Sequence, residues 1–195
     1  MPALRVVLAS ASPARALTLR HAGLDPEIVV SGVDEDGVSG TPAEQVTELA
    51  VRKGRAVAPR VGPDTLVIAC DSMLEFAGET LGKPGTTAAV EALWRRLRGN
   101  RGLLHTGHYV AHAGREATAV GTTVVHFAEV SDAEIVAYAA TGEPQRVAGG
   151  FAIDGRGGAF VTRIEGDHAN VVGVSLPLLR DLVGGLGLVW SDLWV

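Results

Sequence analysis

LASASPAR, Leu8 to Arg15, is the stretch at which an apolar run gives way to polar chemistry on the scale of a phosphate group. Just upstream, LRVVL (Leu4 to Leu8) is short and β-branched and predicts a buried strand. Downstream, Ser12 is placed to N-cap a helix with Pro13 at its first position, where a missing N–H costs nothing, and Gly23 to end it at C′. The expected product is a strand, a tight turn and a helix N-terminus. Such a terminus presents backbone N–H groups and the positive end of a dipole, and here Ser10, Ser12 and Arg15 stand beside it. Two readings fit these residues: an ordinary capped βα unit, or a place that holds phosphate.

The whole chain limits the choice of partner. Its 195 residues, 47% hydrophobic and 20% charged, are enough to bury a core as one domain or as two lobes of one. No apolar run reaches the roughly 18 residues of a membrane span, and the N-terminus lacks the pattern of a signal peptide, so a soluble cytoplasmic protein with no membrane partner is expected. The formal charge of −5 disfavours a polymeric nucleic acid, whose backbone would be repelled. A small polyphosphate is compatible with that background, because a few local cations and a divalent metal can hold it. The single cysteine, Cys70, lies inside an apolar run and reads as a core residue.

Further along, Glu27 to Ser31 is a second short strand candidate, leading to the acidic trio Asp34, Glu35 and Asp36. A solvated turn accounts for Asp36, while one of the trio is a candidate metal ligand at a cleft rim. Thr41, Pro42 and Glu44 spell a capping box, opening a helix expected to run until Pro59 interrupts it. Its apolar face is Val46, Leu49, Ala50 and Val57, and Lys53 falls on that face. The ammonium either snorkels to solvent or points along the helix at an anion.

Thr65 to Cys70 is a continuous apolar run, as in a strand covered on both faces, and Asp71 follows it at once. A poorly solvated carboxylate needs a partner or a metal, and strand ends of this kind are where open α/β sheets place ligands. Lys83 precedes Pro84, which holds its backbone extended. A helix from near Thr86 to a stop at Gly99 buries Val90, Leu93, Trp94 and Leu97, and its terminal arginines complement the dipole.

Leu103 to Ala111 and Gly121 to Phe127 predict an antiparallel ribbon turning at Gly114. His105, His108 and His112 cannot share one strand face, which argues against a histidine metal site. Ser131 and Glu134 form a second capping box for a helix ending at Gly142. The glycine-rich Arg146 to Phe160 leads into a strand, Ala159 to Ile164, and so does not read as a phosphate loop of the Walker kind. Pro177 opens a last helix over Leu178 to Val183, and Trp190 and Trp194 are candidates for packing or for homodimer contacts.

Taken together, LASASPAR at Leu8, VDE at Val33, LAVRKG at Leu49, CDSM at Cys70, LGKP at Leu81, AGGFAIDGRGG at Ala148 and NVVGVSLPLL at Asn170 resemble, in order and spacing, the pattern of the Maf family of nucleotide pyrophosphatases. The resemblance spans almost the whole chain, 1–195, as a single domain. It implies an α/β fold, with an elongated mixed β-sheet, flanking helices and two lobes around a central cleft, of the Maf/ITPase-like kind. It also implies hydrolysis of ordinary or modified nucleoside triphosphates between the α and β phosphates by metal-activated water, with Mg²⁺ or Mn²⁺ as cofactor. Carried onto this chain, the family pattern makes Ser10, Ser12, Arg15, Lys53 and Lys83 polyphosphate contacts and Glu35 and Asp71 metal-holding carboxylates, Asp71 matching the general base.

The chain departs from the family pattern at Ala14, where a second arginine is common, at Val147 and Asp154 in the glycine-rich motif, and at Gly102. No nucleobase preference is therefore carried over. Ala14, Val147 and Asp154 motivate an alternative, a nucleotide-binding regulator of cell division or septum formation with little or no catalysis. A nucleotidyl transferase would share the phosphate groove and need an acceptor pocket as well.

Overall fold

The computed structural model describes residues 4–195. In chain order its elements are β1 (Arg5–Leu8), α1 (Pro13–His21), β2 (Glu27–Ile28), α2 (Pro42–Val61), β3 (Thr65–Phe76), β4 (Glu79–Leu81), α3 (Thr87–Leu97), β5 (Arg101–His112), β6 (Arg115–Phe127), α4 (Asp132–Ala140), β7 (Val161–Glu165), α5 (His168–Val172) and α6 (Leu176–Gly185), with short 3₁₀ turns between some of them. Among the described residues the strands form one seven-stranded mixed sheet in the order β2-β1-β3-β5-β6-β7, with β4 paired to β3. β1 pairs in parallel with both β2 and β3, whereas β3–β4 and β6–β7 are antiparallel.

The chain divides into two compact units. The first comprises the described residues up to Asp71, Thr106–Gly121 and Gly173–Val195. Here the alternation of β1 and β3 sorts side chains onto two covered faces. Val6, Leu8, Leu66, Ile68 and Cys70 join residues of α1 and α6, including Leu19, Leu179 and Val183, in one cluster. Val7, Ala9, Val67 and Ala69 join Ala50 and Val57 of α2 and Tyr109 of β5 in the other. Cys70 is fully buried, and burial pushes its thiol up to about 12, so it is an inert packing residue.

Glycine sets the distance between α2 and β5. A Cβ on Gly107 would overlap the Val46 backbone carbonyl, and one on Gly54 would overlap the Tyr109 ring. At Gly107 the helix therefore rests on the strand with no side chain between them, and at Gly54 the Tyr109 ring fills the gap.

The second unit comprises Ser72–His105 and Thr122–Val172. Its core gathers Leu74, Leu93, Leu97, Leu104, Val125 and Ile135 around fully buried Trp94. That ring meets Phe127, Tyr138 and Phe160 edge-on, with centroids 5.5–5.6 Å away, and its Nε1–H donates to the Gly150 carbonyl at 2.8 Å.

The caps follow the sequence reading. Ser12, Thr41 and Ser131 all cap through their hydroxyls, the last two in full capping boxes, and Gly23 and Gly142 adopt positive φ just past α1 and α4. Other boundaries differ. Strand β2 is only two residues long, and the expected strand at Ala159 begins at Val161. Helix α2 runs through Pro59 to Val61. A proline this close to a C-terminus removes one hydrogen bond of a turn that is ending anyway, and Gly62 at φ 88° then stops the helix. Strand β3 continues past Asp71 to Phe76, and α5 was not anticipated, because its five residues carry no periodic signal. Trp190 packs against the first core, while Trp194 is 55% exposed.

Candidate functional site

Paired residues of β1 and β3 run in step from Arg5↔Thr65 to Leu8↔Ile68, and Ala9 N–H makes one more bond to the Ile68 carbonyl at 2.8 Å. Beyond that point β1 turns away into the Ser10–Ser12 segment while β3 continues. Asp71 is therefore not at the end of its strand but three residues past the last parallel pair. Its odd number puts it with Val67 and Ala69 on the face covered by α2.

On α2, Lys53 lies one turn beyond Leu49 and one before Val57, so the stripe that buries those residues buries it too; it is 8% exposed. Its ammonium does not snorkel. Nζ sits 2.6 Å from Asp71 Oδ1 and 2.7 Å from Glu35 Oε1. Lys53 and Asp71 side chains are 10% and 11% exposed, whereas Glu35, in the loop after β2, is 50% exposed. The result is one buried cation at the meeting point of two carboxylates, one in the core wall and one from the rim. In the same loop Asp36 N–H donates to Asp34 Oδ1 at 2.9 Å, a turn contact.

The Ser10–Arg15 segment is tied to itself and to a distant part of the first unit. Ser10 Oγ accepts from Ser12 N–H at 3.2 Å and from Arg15 Nη1 at 3.2 Å, and Ser12 Oγ accepts from Arg15 N–H at 3.4 Å. Arg15 Nε donates to the Gly173 carbonyl at 2.8 Å. The charges of Arg15, Asp71 and Lys53 all act on the Cys70 thiol, which locates the guanidinium in the electrostatic neighbourhood of the lysine–carboxylate cluster.

Of the residues singled out in the sequence, Ser10, Ser12, Arg15, Glu35, Lys53 and Asp71 therefore belong to the first unit, and Lys83 to the second. There Lys83 is exposed, on a segment held from both flanks: Gly149 N–H donates to the Gly82 carbonyl and Gly85 N–H to the Gln145 carbonyl, each at 3.0 Å. The glycine-rich stretch thus buttresses the Lys83 loop. Gly149, at φ 68°, takes a backbone shape that favours glycine, and a Cβ there would press on Leu74.

The histidines have separate partners. His105 bridges Thr122 Oγ1 and Glu75 Oε2, each at 2.9 Å, and His108 Nε2 accepts from Ser175 N–H at 2.8 Å. The Gly173 carbonyl escaped sequence reading because it is itself a backbone group, and the His108 acceptor because its partner is one; neither pairing leaves a side-chain motif.

Glu35 and Asp71 offer hard oxygen donors that already converge on one cation, the ammonium, and this is the donor chemistry that suits Mg²⁺ or Mn²⁺. Among the described residues no group of three or more His, Cys, Asp or Glu comes together as a ready metal cage. The set fits an ion that keeps waters or shares phosphate oxygens with a ligand. Among the described residues no helix is long and apolar enough to cross a membrane.

Comparison with known proteins places the chain among named relatives. The chain is 54% identical to a nucleoside triphosphate pyrophosphatase of Salinispora tropica, over 98% of this chain and 88% of that one. Proteins given the same name in Streptomyces avermitilis and Streptomyces coelicolor are 51% and 50% identical, each across 99% of this chain and 96% of the relative. The family model described as "Maf-like protein" matches residues 5–186, nearly the whole described fold, and the chain belongs to that family.

Proposed function

We propose that this chain, acting as a single functional domain, is a nucleoside triphosphate pyrophosphatase that hydrolyses the α–β bridge to give a nucleoside monophosphate and diphosphate. The observation that carries the reading is the buried Lys53 ammonium shared by Asp71 and Glu35 where the β1–β3 pairing ends, beside the Ser10–Arg15 turn. The full-length likeness to relatives bearing that name supports it.

In this reading Ser10, Ser12, Arg15 and Lys53 contact the polyphosphate, with Lys83 as a further contact. Arg15 and the N-terminus of α1 offset its negative charge. Asp71 is held through Oδ1 by Lys53, which fixes the plane of the carboxylate, and its other oxygen takes the proton of the attacking water. One P–O bond forms to the water oxygen as the bridging P–O bond breaks, and the diphosphate leaves against the cationic side chains. Glu35 and Asp71 are the residues that would hold a divalent cation, which when bound neutralises charge on the phosphate oxygens.

The test is a product assay with the purified chain, Mg²⁺ or Mn²⁺ and a panel of ordinary and modified nucleoside triphosphates, with products resolved by chromatography. The expected products are monophosphate plus diphosphate from part of the panel. Asp71→Asn is expected to fold and to lose at least ~100-fold in kcat, about 2.7 kcal/mol of barrier. Parent-like turnover by the folded variant would remove Asp71 from the chemistry, and diphosphate release with the nucleotide joined to an acceptor would replace hydrolysis by transfer.

A further inference from the structure

Arg15 is gripped by a peptide segment that is itself anchored from below. Its Nε donates to the Gly173 carbonyl at 2.8 Å, from a segment 158 residues away. Gly173 is buried with φ 125°, and a Cβ there would stand 2.9 Å from Arg15 Nε, so only glycine brings this carbonyl so close to the guanidinium without displacing it. Two residues later, Ser175 turns its N–H to His108 Nε2 at 2.8 Å while its hydroxyl caps α6 by accepting from Leu178 N–H. Val174, between them, is fully buried in the first core.

His108 is itself fully buried on β5, two residues from Val110 of that same core. A backbone N–H can only donate, so the Nε2 that receives it carries no proton and the neutral ring has its proton on Nδ1. A buried N–H deprived of such an acceptor bears the full penalty of its desolvation, and the segment would relax to satisfy it elsewhere. Moving the segment moves the Gly173 carbonyl, and with it the guanidinium.

We infer that His108 is a positioning residue for the Maf-type reaction: by accepting the Ser175 N–H it sets the Gly173 carbonyl that aims Arg15 at the polyphosphate. The inference rests on the reading of Arg15 as a polyphosphate contact. It gives the NVVGVS segment a role in the site without any of its side chains touching substrate.

A double-mutant cycle between His108→Leu and Arg15→Gln tests it, using the full chain with Mg²⁺. Two readouts are taken: kcat and KM for the nucleoside triphosphate that the parent turns over fastest, and calorimetric Kd for inorganic tripolyphosphate, which requires no turnover. His108→Leu is expected to weaken tripolyphosphate binding and raise KM by about tenfold, with a smaller change in kcat, since misplacement on the ångström scale can cost as much as 10²-fold. In the Arg15→Gln background the same change should have almost no further effect.

An equal loss in both backgrounds, or no loss in the parent, overturns the inference while leaving Arg15 in the site. Unweakened tripolyphosphate binding by Arg15→Gln alone overturns the reading beneath it. Should His108→Leu fail to fold, His108→Gln and His108→Asn carry the test. Glutamine places an acceptor oxygen near the Nε2 position and is expected to recover most of the binding, whereas the shorter asparagine is not. Equal behaviour of the two would sink the proposal.

Discussion

Removal of the Lys53 charge is the perturbation with the sharpest energetic signature. In Lys53→Met the stem keeps its packing on the apolar face of α2, but Asp71 Oδ1 loses a partner at 2.6 Å and Glu35 one at 2.7 Å. The two carboxylates are not equivalent. Glu35 is half exposed and can recover water, so its share is below about 1 kcal/mol. The Asp71 side chain is 11% exposed, and stripping a buried pair of one member typically costs 3–5 kcal/mol. The remaining solvent access puts the expected loss near the lower end, about 3 kcal/mol. For a chain of this length that lowers Tm by about 6–12 °C.

Replacing both members is a different matter, because a buried ion pair exchanged for apolar side chains of similar volume is often close to neutral. Lys53→Met with Asp71→Leu should therefore recover most of the stability lost in either single variant, a coupling of about 2–3 kcal/mol. Urea denaturation followed by tryptophan fluorescence, with the slope held common to all four proteins, measures it. Additive single losses, or a Lys53→Met cost under about 0.5 kcal/mol, would refute the claim that the ammonium is the buried counter-charge of Asp71.

Two other outcomes are expected. Gly107→Ala drives a methyl group into the Val46 carbonyl, a backbone obstacle with no rotamer to yield, and thermal denaturation should show a loss above about 3 kcal/mol, whereas the same change at exposed Gly184, where an added methyl meets open space, costs far less. Burial alone would push the Glu143 carboxyl up, yet the N–H groups of Arg156 and Gly157, at 3.1 Å each, and the Tyr138 hydroxyl at 2.9 Å hold it below its ordinary value near 4.5. Since the folded value lies under the unfolded one, this latch stabilises fully above about pH 4.5 and is lost as pH falls through the folded value. Amide hydrogen exchange at Arg156 and Gly157 should accelerate in Glu143→Gln, and the pH dependence of their protection should flatten.

Local chemistry was legible wherever a single residue dictates it. Ser12–Pro13, Thr41–Pro42–Glu44 and Ser131–Glu134 announced three helix starts, and the two-residue turn at Ala113–Gly114, with positive φ at both residues, lies where the ribbon was expected to turn. Burial of Lys53 among Leu49 and Val57 was legible as a violation of pattern, although periodicity could not say which anion it faces. Where β3 ends was not legible. After Asp71 the residues Ser72, Met73 and Glu75 are only partly buried while Leu74 and Phe76 remain inside, an alternation that follows from what lies on each face. The hold on Arg15 was invisible for a deeper reason, since a carbonyl at Gly173 looks like any other in sequence.

The two halves of the proposed polyphosphate site differ in how much chain must be gathered to make them. Lys53 and Asp71 are 18 residues apart, Arg15 and Gly173 are 158 apart, and on loop-closure entropy alone the longer link costs about 2 kcal/mol more. A nascent chain can join the ammonium to Asp71 once β3 has emerged, but the support of the guanidinium must wait until nearly the last helix has been made. A polypeptide interrupted before Gly173 would thus carry the carboxylate and its counter-ion with an arginine left unaimed, and competence for the substrate becomes a late event in the birth of the molecule.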